Sequence, residues 1–249
     1  MSIGEVIELV QSSVVPPFSA LFLYGSYARG DHDATSDIDV IQVTASHSAP
    51  YSKGKINFTC YTPDQLIQLA RRGSLFARHL VSEAKSLDDP GGFLSALRAA
   101  YVAPRDYACV FREVVGAIPV VAIREHEFEE ERRHYSATAG YLLRTYVYAK
   151  AFEMGAKSFS MSHVTDVVND ERPRSRLLDM KLHQGYSEFR RVVDLLFELT
   201  ATPPFYREEP LEVFVANSYG SCDLAVILGL RVLARGDLLT YVFIPQQRD

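Results

Sequence analysis

Apolar residues fall into runs of two different periods along this chain. Phe18 to Tyr24 is a near-continuous apolar run of strand length, and Val40 to Val43 is a second. Lys55 to Tyr61 alternates, with Ile56, Phe58 and Cys60 on one face and Asn57, Thr59 and Tyr61 on the other, the period of a third strand. Helical signals surround these strands. Ser2 with Glu5 three residues on reads as a capping box for a helix through about Gln11, stopped by Pro16-Pro17. Gly25 turns into a short helical stretch, Ser26 to Gly30, and Asp31 to Ser36 is a polar loop leading into a strand that begins at Asp37. His47 to Lys55 reads as a hairpin-like loop. Thr62-Pro63-Asp64-Gln65 is a second capping box, with proline at the first helical position of a helix through Arg72. Leu75 to Lys85 and Gly92 to Tyr101 are predicted helices.

Beyond Pro104 the period is mostly helical. Tyr135, Tyr141, Leu142, Tyr146, Ala149 and Phe152 fall mostly on one helical stripe, and Phe189, Val192, Val193, Leu196 and Leu199 form another. Asp223 to Ala234 is an apolar helix stopped by Gly236, and Leu238 to Ile244 reads as a terminal strand. The pattern predicts an α+β chain: a mixed sheet with flanking helices over residues 1–103, then a mainly helical domain over 104–249.

Composition narrows the function. The chain has 249 residues, 47% hydrophobic and 23% charged, the values of an ordinary globular protein. No apolar run approaches the roughly 18 residues of a membrane span, and MSIGEVIELV lacks the basic start of a signal peptide. Cys60, Cys109 and Cys222 are far apart and suit reduced thiols, so a cytoplasmic location is expected. The net charge of −5 argues against a long nucleic-acid partner. The basic clusters, Arg71-Arg72 and Arg172, Arg174 and Arg176, read as solvated surface, and Glu125 to Arg133 reads as an exposed charged helical face.

The most informative stretch is Gly25 to Asp39, GSYARGDHDATSDID. Gly25-Ser26 is separated by ten residues from Asp37-Ile38-Asp39. Alternation puts Asp37 and Asp39 on the same side of a strand, and two such carboxylates repel unless a cation lies between them. A Gly-Ser turn entering a helix offers free backbone N–H groups to a phosphate. A phosphate cradle beside paired acids is the equipment of nucleotidyl transfer.

This strand–GS–ARG–SDID–strand order resembles the signature of the DNA polymerase beta-like nucleotidyltransferase superfamily, and its short spacer is similar to the minimal, antitoxin-type branch. The resemblance implies a nucleotidyltransferase-type sheet, an NTP substrate with ATP expected, and a two-metal Mg²⁺ site. It assigns Asp37 and Asp39 as metal ligands, Gly25 and Ser26 as contacts to the β/γ phosphates, and Arg29 as either a phosphate contact or a pin for the loop. Members of the superfamily place a third carboxylate on the next strand. Here that position is Asn57, which can offer a carbonyl oxygen to a metal but cannot take a proton. Three alternatives follow: the third acid comes from Asp64 or Glu83, two acids suffice, or nucleotide is bound without turnover. In the helical half, Lys150 and Ser160 resemble the lysine and serine that contact the triphosphate in related helical domains. The function implied is transfer of an NMP to a hydroxyl of a protein such as a cognate toxin, a small molecule or an RNA end. The alternative is a catalytically weak or inactive nucleotide-binding or partner-binding module of the same fold.

Overall fold

The computed structural model describes residues 3–34 and 36–234. The Ser2 cap, the stop at Gly236 and the strand expected over Leu238 to Ile244 lie outside the described residues. By internal packing the chain divides into two compact units, one of residues up to Arg105 with Ser158–Ser160, the other of Asp106–Lys157 with residues from Met161 on.

The first unit holds a five-stranded mixed sheet. Its strands are β1 (Ala20–Tyr24), β2 (Ile38–Val43), β3 (Tyr51–Lys53), β4 (Ile56–Tyr61) and β5 (Lys85–Asp88), in the order β3-β4-β2-β1-β5. β1 and β2 are antiparallel and β2 and β4 parallel, so the two runs flanking the Gly25–Asp39 stretch lie side by side at the centre. All five residues of β1 are buried, which explains its unbroken apolar character.

Each face of the sheet has its own helices. α1 (Ile3–Ser13) lays Val6 and Val10 on Leu21, Leu23, Ile38, Val40, Ile56 and Phe58. The opposite face carries α3 (Pro63–Arg71), α4 (Leu75–Glu83) and α5 (Phe93–Ala100), with the Phe22 ring stacked on Phe93 and the Tyr24 ring edge-on to Phe76. Between β1 and β2 lies the five-residue α2 (Gly25–Arg29). Both bonds of the Thr62 capping box form: its hydroxyl accepts from Gln65 N–H at 3.3 Å, and Gln65 Oε1 accepts from Thr62 N–H at 2.9 Å. Two segments differ from expectation. The helix from Leu75 stops at Glu83, so Lys85 belongs to edge strand β5, and the loop before Lys55 contains β3, paired with β4 across Gly54.

The second unit is helical throughout its described residues. It comprises α6 (Ala108–Val121), α7 (Glu125–Glu130), α8 (Arg132–Glu153), α9 (Met161–Val168), α10 (Arg172–His183), α11 (Tyr186–Leu199), α12 (Leu211–Ser218) and α13 (Asp223–Leu233). α6 and α11 flank α8, and α13 packs on α6 and α12. The charged run from Glu125 is not simply a solvated face. Glu127 accepts from the Tyr135 hydroxyl at 2.8 Å and pairs with the buried Arg207, and Glu131 meets His134 at 3.0 Å. The Arg172 group is matched by acids: Arg172 bonds Asp170 at 2.9 Å and Glu198 at 2.7 Å, while Arg174 and Arg176 each lie 3.9 Å from an acidic partner.

One buried acid fixes the junction of α6 and α13. Glu113 is 4% exposed, and its Oε2 accepts from the Leu224 N–H, an otherwise unsatisfied donor in the first turn of α13, at 2.9 Å. The Cys222 thiol donates to the same oxygen at 3.5 Å, and burial together with the Glu113 charge pushes that thiol up to about 11. We expect Glu113→Ala to cost about 1–3 kcal/mol, the range for stranding a buried donor. Glu113→Gln, which keeps an acceptor, should cost less. Denaturant unfolding of the two variants measures the difference, and equal losses would assign the effect to packing alone.

Candidate active site

The sheet registers bring the candidate residues together. Tyr24 pairs with Asp39, Asp39 with Asn57, and Asn57 with Ser52, so one row crosses β1, β2, β4 and β3. Asp39 is half-buried and Asp37, two residues earlier, is exposed, while Ile38 between them is buried against α1. This is the alternation expected of paired acids on one face.

Gly25 closes the row. Its φ of +74° lies in the left-handed region that glycine adopts without strain. A Cβ built there would stand 2.9 Å from Asp39 Oδ2, so the missing side chain is what lets the turn and the carboxylate approach. The other carboxylate oxygen, Oδ1, faces the Asn57 amide nitrogen at 3.5 Å. Asn57 Oδ1 accepts from the Ser52 hydroxyl at 2.9 Å. Since a carboxylate only accepts, Asp39 is the partner that favours the amide nitrogen on its side.

The loop into Asp37 is tied at several points. α2 ends at Gly30, whose N–H returns to Ser26 carbonyl oxygen at 2.8 Å, with Asp31 N–H on the same oxygen at 3.1 Å. The Lys55 ammonium donates to Ala34 carbonyl oxygen at 2.8 Å, and Ser36 Oγ accepts from Asp33 N–H at 2.9 Å. The His32 ring stacks on Tyr27 at 3.9 Å.

Arg29 pins the loop. Its guanidinium reaches Asp31 at 3.1 Å and Glu83 at 2.9 Å, so the carboxylate partner is the alternative realised. Neither acid considered as a third carboxylate joins the row. Both Glu83 oxygens are bound by protein donors. Asp64 follows Tyr61, which is level with Val43, and so lies beyond a strand length of roughly 13 Å from the Asn57 row. Among the described residues no group of three or more His, Cys, Asp or Glu forms a metal cluster. Two carboxylates beside an open turn nevertheless fit a divalent cation that takes its remaining ligands from water and substrate phosphate. Ser160 is half-buried and belongs to the first unit, whereas Lys150 is exposed in the last turn of α8 in the second.

A mixed sheet whose two central strands are joined through a glycine turn facing a paired-acid edge defines a nucleotidyltransferase-type fold. Residues 8–71, about a quarter of the chain, match the family model of the nucleotidyltransferase domain, from within α1 to the end of α3. The first unit thus holds a segment that matches the nucleotidyltransferase domain, consistent with the DNA polymerase beta-like superfamily. No curated protein matches the chain. No helix among the described residues is long and apolar enough to cross a membrane.

The residues sequence reasoning missed are Ser52, His79 and Ser158. Burial lowers the His79 pKa below its ordinary 6.5, and Arg29 adds to this, although Glu83 and Asp31 pull the other way. Burial alone would raise Glu83, but His79, the Phe159 N–H and Arg29 outweigh it and hold the carboxyl at about 2 against an ordinary 4.5. Both folded values lie below their unfolded ones, so the unfolded chain binds more protons and acid destabilises the fold. Stability should fall first below about pH 6.5 through His79, then again below about 4.5 toward 2 through Glu83. Unfolding free energy measured against pH should lose its upper slope in His79→Phe. An unchanged slope would remove His79 from the account.

Proposed function

We propose that the protein transfers a nucleoside monophosphate from an NTP, with ATP the expected donor, to a hydroxyl acceptor. The acceptor oxygen bonds to the α-phosphorus and gives up its proton to water, the bond to the bridging oxygen breaks, and pyrophosphate leaves with the electron pair. The observation that carries this reading is the Asp39 carboxylate set between Gly25 and Asn57, with the exposed Asp37 two residues before it. Asp37 and Asp39 would hold Mg²⁺, which when bound neutralises phosphate charge and lowers the pKa of the attacking hydroxyl. The open backbone at Gly25 and Ser26 would receive the β/γ phosphates. Lys150 and Ser160 are proposed triphosphate contacts on the resemblance alone. Residues 1–103 would form the nucleotidyltransferase domain and 104–249 the acceptor-binding or partner-binding domain, working in the cytoplasm.

The acceptor class is a protein, such as a cognate toxin, a small molecule or an RNA end. A net charge of −5 and arginines matched by acids give a long nucleic acid little to bind. A second reading, a weak or inactive nucleotide-binding module, is favoured by one observation: the position of the third acid holds an amide with its nitrogen toward Asp39.

Incubation with labelled NTP and Mg²⁺, read by pyrophosphate release and by label transfer to proteins, RNA and small molecules, separates the two. Asp37→Ala and Asp39→Ala should each abolish release with the fold intact, since Asp37 is exposed and Asp39 half-buried. Full activity in either variant would sink the catalytic reading.

Asn57→Asp adds a titratable oxygen on the row without much change in volume. In a two-acid enzyme it should raise turnover, up to about 100-fold, and add a limb to the pH–rate profile. If the wild type is active and Asn57→Asp leaves rate and profile unchanged, this position needs no base.

A further inference from the structure

The Glu83 carboxylate is met by four groups from three segments of the first unit. Oε2 accepts from Arg29 Nη1 at 2.9 Å and lies 3.0 Å from His79 Nε2, while Oε1 accepts from the Ser158 hydroxyl at 2.8 Å and the Phe159 N–H at 2.7 Å. The Glu83 side chain is only 8% exposed. Three donors, with His79 against the same carboxylate, engage both oxygens within the protein. Arg29 ends the short helix that Gly25 begins. Ser158–Ser160 lies between α8 and α9 in sequence but packs in the first unit, with the Phe159 ring stacked on His79 at 4.4 Å. The Ser158 hydroxyl, while donating to Glu83, accepts the Ser160 N–H at 3.1 Å, so the carboxylate sets the Ser160 backbone through one intermediate.

We propose that Glu83 is a positioning residue for the nucleotide site. Its carboxylate locks the Gly25–Arg29 turn and the Ser158–Ser160 segment into one arrangement and touches no substrate itself. The proposal rests on the nucleotidyl-transfer reading, in which Gly25, Ser26 and Ser160 meet the phosphates. The physical reason is charge-assisted bonding at both ends of one buried group. Each bond is stronger than a neutral one, and breaking either side leaves a charge or a backbone N–H uncompensated. A glutamine could serve the Ser158 side through its oxygen, but its NH₂ would face the Arg29 donor.

The test uses the full chain with Glu83→Gln, Ser158→Ala and Ser158→Thr. Amide exchange is followed in peptides covering residues 25–31 and 157–161, and the Kd for Mg-ATP is measured by calorimetry. Ser158→Ala should speed exchange in both peptides, although Ser158 is far from the turn in sequence, and should weaken ATP binding about tenfold. Ser158→Thr, which keeps the hydroxyl, should restore both. Glu83→Gln should act in the same direction and more strongly. If it fails to fold, Ser158→Ala carries the test, since it removes a single hydroxyl. Faster exchange confined to residues 157–161, or loosening of both peptides with the ATP Kd unmoved, would overturn the proposal while the transfer reading stands. A wild type that binds no Mg-ATP would overturn both, and this is visible before any variant is made.

Discussion

Everything proposed for this protein depends on the register of three neighbouring strands. β2 is antiparallel to β1 and parallel to β4, which brings Tyr24, Asp39 and Asn57 level. A one-residue slip would send Asp39 to the α1 face, where Leu21, Ile38 and Val40 now pack, and bury an acid among apolar groups. The hydrophobic pattern thus sets the site as firmly as it sets the core. Gly25 supplies the remaining freedom, since a Cβ on the turn out of β1 would stand 2.9 Å from Asp39 Oδ2.

What could be read in the sequence was local or periodic. The alternation from Ile56 to Tyr61, the unbroken run of β1 and the Thr62 capping box all involve residues within a few positions of one another, and the structure forms them. The motif from Gly25 to Asp39 was legible for the same reason, because its parts lie on two strands joined by one short connection. β5 was not legible. Lys85 and Ser86 are exposed, and the strand exists through backbone pairing to β1, which leaves no mark in side-chain pattern.

The acids bonded to distant segments were the other blind spot, and they share one construction. Glu83 bonds Arg29 and Ser158 across 54 and 75 residues, Glu113 bonds Leu224 across 111, and Glu127 bonds Arg207 across 80. No window of sequence contains both partners, so each glutamate reads as surface charge or, for Glu83, as a spare catalytic acid. A carboxylate removed from water must find donors or become neutral. Donors from distant segments convert that requirement into tertiary specificity. Arg29 shows the consequence for function: the same guanidinium that sequence allows on a phosphate is already held by Asp31 and Glu83.

The amide at residue 57 changes the electrostatics of the proposed site as well as its proton chemistry. A third carboxylate on the row would stand against Asp39 across adjacent strands and repel it. Asn57 instead turns a donor toward Asp39, while its oxygen accepts from Ser52. A neutral amide at this position adds no further negative charge to the acid edge. The cost falls on metal affinity, since two carboxylates attract a divalent ion less than three. On the proposed reading, Mg²⁺ would then be held largely by the triphosphate that accompanies it, because phosphate oxygens supply the ligands the chain lacks. A site of this kind couples metal binding to nucleotide binding. The geometry of the Gly25 turn, which would receive the phosphates, therefore bears on both at once.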